Sequence, residues 1–197
     1  MGFKRVGVAA IAALMLFSLG IAQASPFTEL DKLSSYYGLR GGAREFSYHT
    51  PDGMLRVQLA YPNKQADMVH VKAWIKDREI YDYALPFVGT GYVIRFYRDE
   101  ASGRVFLSCS SSQLAILAGY CGNSQRMETY VDSRDFDAGF TQTFPWIYAQ
   151  DGELRLVLSD GYGDVPIMNQ NVFVLDWDEA LQWLNYTDKG VKPFHRD

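Results

Sequence analysis

Residues 69–85 read VHVKAWIKDREIYDYAL, and this stretch decides the fold. Val69, Val71, Ala73 and Ile75 alternate with His70, Lys72, Trp74 and Lys76, the two-residue period of a half-buried strand and not the longer period of a helix. Asp77-Arg78 then reads as a turn, and Glu79 to Leu85 as the antiparallel return strand. The pattern extends in both directions. Leu55, Val57, Leu59 and Tyr61 alternate with Arg56, Gln58 and Ala60 before Pro62-Asn63. Tyr92, Ile94, Phe96 and Arg98 alternate with Val93, Arg95 and Tyr97 before a loop at Asp99 to Gly103 leads into Arg104 to Cys109. Later strands are predicted at Arg126–Val131, Pro145–Ala149, Leu154–Ser159 and Val172–Asp176, with Asp151-Gly152 as a tight hairpin turn. Connections this short join antiparallel neighbours, because parallel strands need crossovers of a dozen or more residues.

Three segments depart from alternation. Phe27, Leu30, Leu33 and Tyr37 fall on one face of a helix that Gly38 would close, before Gly41-Gly42 breaks the chain. Gln113 to Ala118 is a helix-like run ending at Gly119. Asp178 can cap a helix from Glu179 to about Tyr186, with Leu181 and Leu184 on its apolar side and Lys189-Gly190 at its end. The expected fold is therefore mainly β: an antiparallel β-sandwich or partly closed barrel of about nine or ten strands with short flanking N- and C-terminal helices.

The first 24 residues carry a different message. Lys4 and Arg5 precede an apolar run from Val6 to Ile21, and Ala22-Gln23-Ala24 supplies the small-x-small pattern that signal peptidase reads. Ser25-Pro26 and the polar residues after it are a poor flank for a spanning helix, so the expectation is export to the periplasm or the medium, with cleavage after Ala24. No Cys follows the cleavage region, which leaves the lipoprotein route without its acceptor. The expected organisation is a leader at 1–24, a single β-rich domain at 25–190 and a frayed tail at 191–197, with no membrane insertion once the leader is gone. A membrane barrel is the competing architecture, but several predicted strands fall short of the ~9–11 residues that cross a bilayer.

Of the 19 Lys+Arg, Lys4 and Arg5 lie in the leader and none of the 23 Asp+Glu does, so the mature chain has a formal charge of −6. Nucleic acid and anionic lipid are bound mainly by neutralising phosphates. An acidic chain without a basic cluster points away from both. Cys109 and Cys121, the only cysteines, would most simply form one disulfide in an oxidising compartment, and a pair of buried free thiols is the alternative.

The chemistry-bearing motifs of common enzymes are absent: no GxSxG elbow, no HExxH, no phosphate-binding loop. His49, His70 and His195 lack a ligand or Cys at useful spacing, and the serines at 108 and 110–112 have no base near them in sequence. No cofactor is expected. Asp132, Asp135 and Asp137 before Gly139 resemble an oxygen-rich calcium loop, but Trp146 stands where an EF-hand would place its bidentate Glu. Asp160 and Asp164 flank Tyr162 on a glycine-rich loop and could rim a ligand, or serve as paired acids on a polysaccharide. The aromatic content is the strongest hint. Trp74 alternates out of phase with the apolar residues of its strand, and Tyr81 and Tyr83 share one face of the next; paired through the Asp77-Arg78 turn the three could form a platform on the outer sheet face, the alternative being that a helix or second sheet covers that face. The functional expectation is an exported domain that binds a protein partner or a glycan at the cell envelope. A small envelope hydrolase and a structural subunit of a surface assembly are the alternatives.

Overall fold

The computed structural model describes residues 26–34, 43–60, 68–86, 92–139, 144–161 and 166–194. The leader, Gly38, Gly41-Gly42, Pro62-Asn63, Tyr162, Asp164 and His195 lie outside them. Thirteen strands run in order: β1 (Phe27–Ser34), β2 (Ala43–Thr50), β3 (Gly53–Ala60), β4 (Met68–Ile75), β5 (Arg78–Pro86), β6 (Tyr92–Asp99), β7 (Val105–Ser111), β8 (Ala115–Cys121), β9 (Arg126–Asp132), β10 (Phe144–Gln150), β11 (Glu153–Ser159), β12 (Asn169–Asp178) and β13 (Trp183–Pro193). They form three antiparallel sheets: a central one in the order β1-β6-β7-β8-β9, a first outer sheet β2-β3-β4-β5 and a second outer sheet β10-β11-β12-β13. None of the sheets closes on itself: three open sheets stand where a sandwich or partly closed barrel was expected, with thirteen strands in place of about nine or ten.

The central sheet is buried on both faces. One face packs Tyr92, Ile94, Phe96, Leu107, Ile116 and Met127 against Leu55, Val57, Val71 and Ile75 of the first outer sheet. The other packs Tyr97, Phe106, Leu117 and Val131 against Ile147, Leu156, Phe173, Leu175 and Trp177 of the second. Two-sided burial explains the corrected middle helix. Residues 115–118 are strand, in the almost continuously buried β8, and a strand covered on both faces loses the polar half of its alternation. Gly119, expected to end a helix, sits opposite Phe106 inside β8. A Cβ there would meet the Phe106 ring at 2.6 Å, so the glycine makes room for the aromatic.

The two terminal helices are also strands among the described residues. Phe27–Ser34 pairs antiparallel with β6 through a bulge at Leu30, which lets Phe27 and Leu33 both reach apolar cores despite their helix-like spacing. At the other end, Asp178 does cap, accepting from the Leu181 N–H at 3.0 Å, but the cap closes a turn over 179–182 and not a helix. Gln182 has φ 52°, which ends any helical path, and β13 runs back along β12. Residues 191–193 of the expected tail belong to that strand.

Two hairpins follow expectation closely. Asp151 and Gly152 both have positive φ (54° and 81°), as a tight primed turn requires. The β4–β5 turn is shifted by one residue, with Lys76 and Asp77 at φ 51° and 64° and Arg78 already in β5. The cysteines are free. Cys109 stands opposite Ile116 in the β7–β8 register, which places Cys121 opposite Arg104, five residues along the ladder. That is a separation of about 17 Å, far beyond the reach of a disulfide, so the expected bridge is corrected.

Candidate functional site

The site follows from asking where the backbone groups of the second outer sheet go. Its two edge strands are β10 and β13. At β10 the edge is closed by the central sheet: the Ile147 carbonyl accepts from Arg95 Nη1 (2.9 Å) and from the Tyr97 hydroxyl (3.0 Å), while the Ile147 N–H donates to Ser110 Oγ (3.2 Å). Ile147 is fully buried, so these three side chains replace the strand that would otherwise pair there.

At β13 nothing equivalent is present among the described residues. The strand is eleven residues long and exposed along most of its length. Its inward face carries Leu184, buried in the core, then Tyr186, which is 59% exposed. A bulge between Asn171 and Phe173 of the pairing places Lys189-Gly190 as the extra residues, with Gly190 at φ 74° and its N–H bound by Asp188 Oδ1 at 2.7 Å. Trp183, 54% exposed, lies 6.2 Å from the ring of Tyr130 in β9, the neighbouring edge of the central sheet. Tyr130 and Trp177 stack edge-on at 5.2 Å, and Tyr186 meets Phe136 at 5.0 Å and Phe173 at 6.0 Å. The β9 and β13 edges therefore form an aromatic seam whose outer rings, Trp183 and Tyr186, are half in water.

One end of this seam is clamped by Arg104. Its Nε and Nη2 donate to both carboxylate oxygens of Glu179 (2.6 and 2.8 Å), its Nη1 donates to Asp52 (3.0 Å), and its guanidinium lies over the Trp177 ring at 5.7 Å. Asp52 belongs to the β2–β3 turn and Glu179 to the β12–β13 turn, so one buried cation ties all three sheets. The Arg104 guanidinium, with Trp177 Nε1–H and Gln182 adding hydrogen bonds, holds the Glu179 carboxyl down at about 2. Gln182 also accepts from the Gly122 N–H at 3.2 Å, locking the turn before β13 to the β8–β9 turn. Beside it, desolvation pushes the Cys121 thiol up, yet hydrogen bonds from Ser124, Asn123 and Tyr130 together outweigh it and leave the thiol below its ordinary value.

The sequence-derived candidates fall elsewhere. Trp74 lies on the outer face of the first outer sheet, in a shallow groove of about 240 Å³ lined by Glu45, Ser47, Arg56 and Gln58. Arg56 lies over its ring at 5.6 Å. Tyr81 and Tyr83 do not join it. They stand opposite Ala73 and Val71 on the inward face, with their rings 5.8 Å from each other. The shifted turn and a bulge at Ile80 move the register by one, and a one-residue slip sends side chains to the other face. The expected three-ring platform is corrected to a tryptophan on the outer face and two tyrosines on the opposite face, of which Tyr81 is half-buried and Tyr83 exposed.

Asp160 is occupied with structure: its carboxylate accepts from the N–H groups of Met168 and Asn169 and from the Asn169 side chain, which together hold it below its ordinary range. Its proposed companions Tyr162 and Asp164 are outside the described residues. Asp132 is bound to the Arg134 guanidinium and Asp137 to the Gly139 N–H, and no group of three metal-binding side chains converges among the described residues. Ser108 and Ser110 are buried inside the central sheet, whereas His49 and His70 belong to β2 and β4 of the first outer sheet. No described helix is long and apolar enough to cross a membrane, which says nothing of strands. Trp183 and Tyr186 were missed because 179–186 reads as a helix; the alternation of Trp183 and Asn185 with Leu184 and Tyr186 was the available signal. Comparison with protein-family models, with curated proteins and with solved structures finds no match to this chain.

Proposed function

We propose that the mature chain is an exported, cofactor-free binding domain of the cell envelope that holds a protein partner along the open edge of β13. The observation that carries this is a concentration of apolar surface. Of the eight exposed large apolar side chains among the described residues, six lie between Met168 and Phe194: Met168, Leu181, Trp183, Tyr186, Val191 and Phe194. Exposed apolar side chains concentrated along an edge strand are a usual feature of a protein interface. The leader-like residues 1–24 support the compartment. The test is a photo-cross-linking residue placed at position 186, with position 45 as control, in the full chain in its own envelope. A protein adduct specific to 186 is expected; no adduct there, or equal adducts at both positions, would overturn the proposal. An adduct between two copies would move the reading to a subunit of a surface assembly.

A second reading has its own observation. The Trp74 groove sets an indole beside Glu45, Ser47, Arg56 and Gln58, a mixture of ring face and hydrogen-bonding groups suited to a glycan. Quenching of tryptophan fluorescence by soluble peptidoglycan fragments, abolished by Trp74→Ala, supports it. Unchanged quenching in that variant removes it.

A further inference from the structure

Three exposed acids lie near the open edge, Asp135 within Coulomb reach of Arg134, and Asp137 and Asp188 each holding a glycine N–H. Phe136, whose ring lies against Tyr186, is flanked in the chain by Asp135 and Asp137, both exposed. Asp188, also exposed, follows Tyr186 on the same face of β13, opposite Phe173, the third ring of the cluster. The cations nearby are otherwise committed or directed. Arg134 is held by Asp132, Arg104 is buried between Glu179 and Asp52, Lys192 pairs with Gln170 on the other face, and Lys189 sits in the bulge. Tyr186, 59% exposed, thus lies beside Phe136 with Asp135, Asp137 and Asp188 as its acidic neighbours along the chain, on an edge that no further strand pairs with among the described residues.

We propose that the occupant of this edge is an extended, basic peptide segment of a protein partner that adds to β13 as a further antiparallel strand. Its Lys or Arg side chains lie on the face of Tyr186, near Asp135, Asp137 and Asp188. Main-chain hydrogen bonds supply the generic part of such binding and the alternate side chains supply the choice. A cation over an aromatic ring, with carboxylates beside it, supplies the preference for positive charge. This rests on reading β13 as the binding edge, and it adds the chemistry of what binds there.

The test uses the mature full chain and three short synthetic peptides of equal length: alternating Val-Lys, alternating Val-Glu, and the Val-Lys peptide N-methylated at alternate residues. Binding is followed by tryptophan fluorescence and by NMR shifts of the β13 amides. The Val-Lys peptide is expected to bind at least about ten-fold more tightly than Val-Glu, with shifts centred on Thr187 and Asp188. N-methylation should abolish binding. The D135N/D137N/D188N variant should lose about ten-fold in affinity for Val-Lys, since each Asn keeps an oxygen for the loop N–H groups and the fold is preserved. Equal binding of the basic and acidic peptides overturns the charge preference, and tolerance of N-methylation overturns strand addition. If no peptide binds while position 186 still cross-links to a protein, this inference falls and the binding edge stands; if both fail, both fall.

Discussion

The second outer sheet has two edges, and they are built in opposite ways. At β10 the Ile147 amide and carbonyl are satisfied by Ser110, Arg95 and Tyr97 reaching across from the central sheet, so that edge is part of the interior. At β13 the strand is longer, its outer rings are half in water, and among the described residues no side chain of the central sheet caps it, the one cap being its own Asp188 on the Gly190 N–H. The same sheet thus ends once in a finished interface and once in an unfinished one. Backbone polar groups must find partners. The contrast between a β10 edge capped at Ile147 and a β13 edge without such caps among the described residues is what supports the proposed binding edge.

The contrast is broken most severely by removing what holds the open strand in place. Arg104→Met leaves Glu179 and Asp52 facing an apolar neighbour and frees the turn that launches β13. Because both carboxylates keep some contact with water, the expected loss is about 2–3 kcal/mol in urea unfolding. The closed edge is probed by the double change Arg95→Met and Tyr97→Phe, which strands the buried Ile147 carbonyl. This should cost about 2 kcal/mol, with Tyr97→Phe alone near 1 kcal/mol. Next comes pH. Glu179 has its carboxyl lowered to about 2 in the folded chain against an ordinary 4.5, so its contribution is complete above about pH 4.5 and is lost as pH falls toward about 2. Glu179→Gln should flatten the pH dependence of the melting temperature in that window. Trp183→Ser and Tyr186→Ser should each cost less than about 1 kcal/mol, and Trp183→Ser should abolish the specific cross-link from position 186, the reverse of the pattern at β10. A stability loss there as large as at β10 would mean that the open edge is merely structural. The smallest effect is a null: reductant should leave the melting temperature unchanged, and both thiols should alkylate in the unfolded, unreduced protein. A Cys109–Cys121 bridge would require a different β7–β8 register and would carry Ser110 away from Ile147, removing one of the three caps.

Strand alternation was legible wherever one face of a sheet meets water, as in β3 and β4 of the first outer sheet. It failed where that condition failed. In β8, Ala115 to Ala118 are buried on both sides, so the polar half of the code is missing and a short apolar run looks helical. In β13 the opposite holds: edge exposure puts polar residues on both faces, and Asp178 is a sound helix cap that closes a turn instead. The candidate site suffered from the same two gaps. Trp74 was correctly read as outward, but its partners depended on a turn one residue away, and hairpin register is set by turn geometry that the residues Lys76, Asp77 and Arg78 leave open. The Arg104 clamp was invisible because its partners lie 52 and 75 positions away along the chain.

The order of the strands has one further implication. The first outer sheet is a contiguous meander, β2 to β5, inserted between β1 and β6, and those two strands pair directly with each other. The central sheet can therefore be threaded without reference to the residues between them. An ancestor lacking the meander, or carrying another in its place, would need no change in the path of the remaining chain, only a new cover for the apolar face that Ile94, Phe96 and Leu107 present. Accretion of a layer by insertion is an evolutionary route that this topology leaves open.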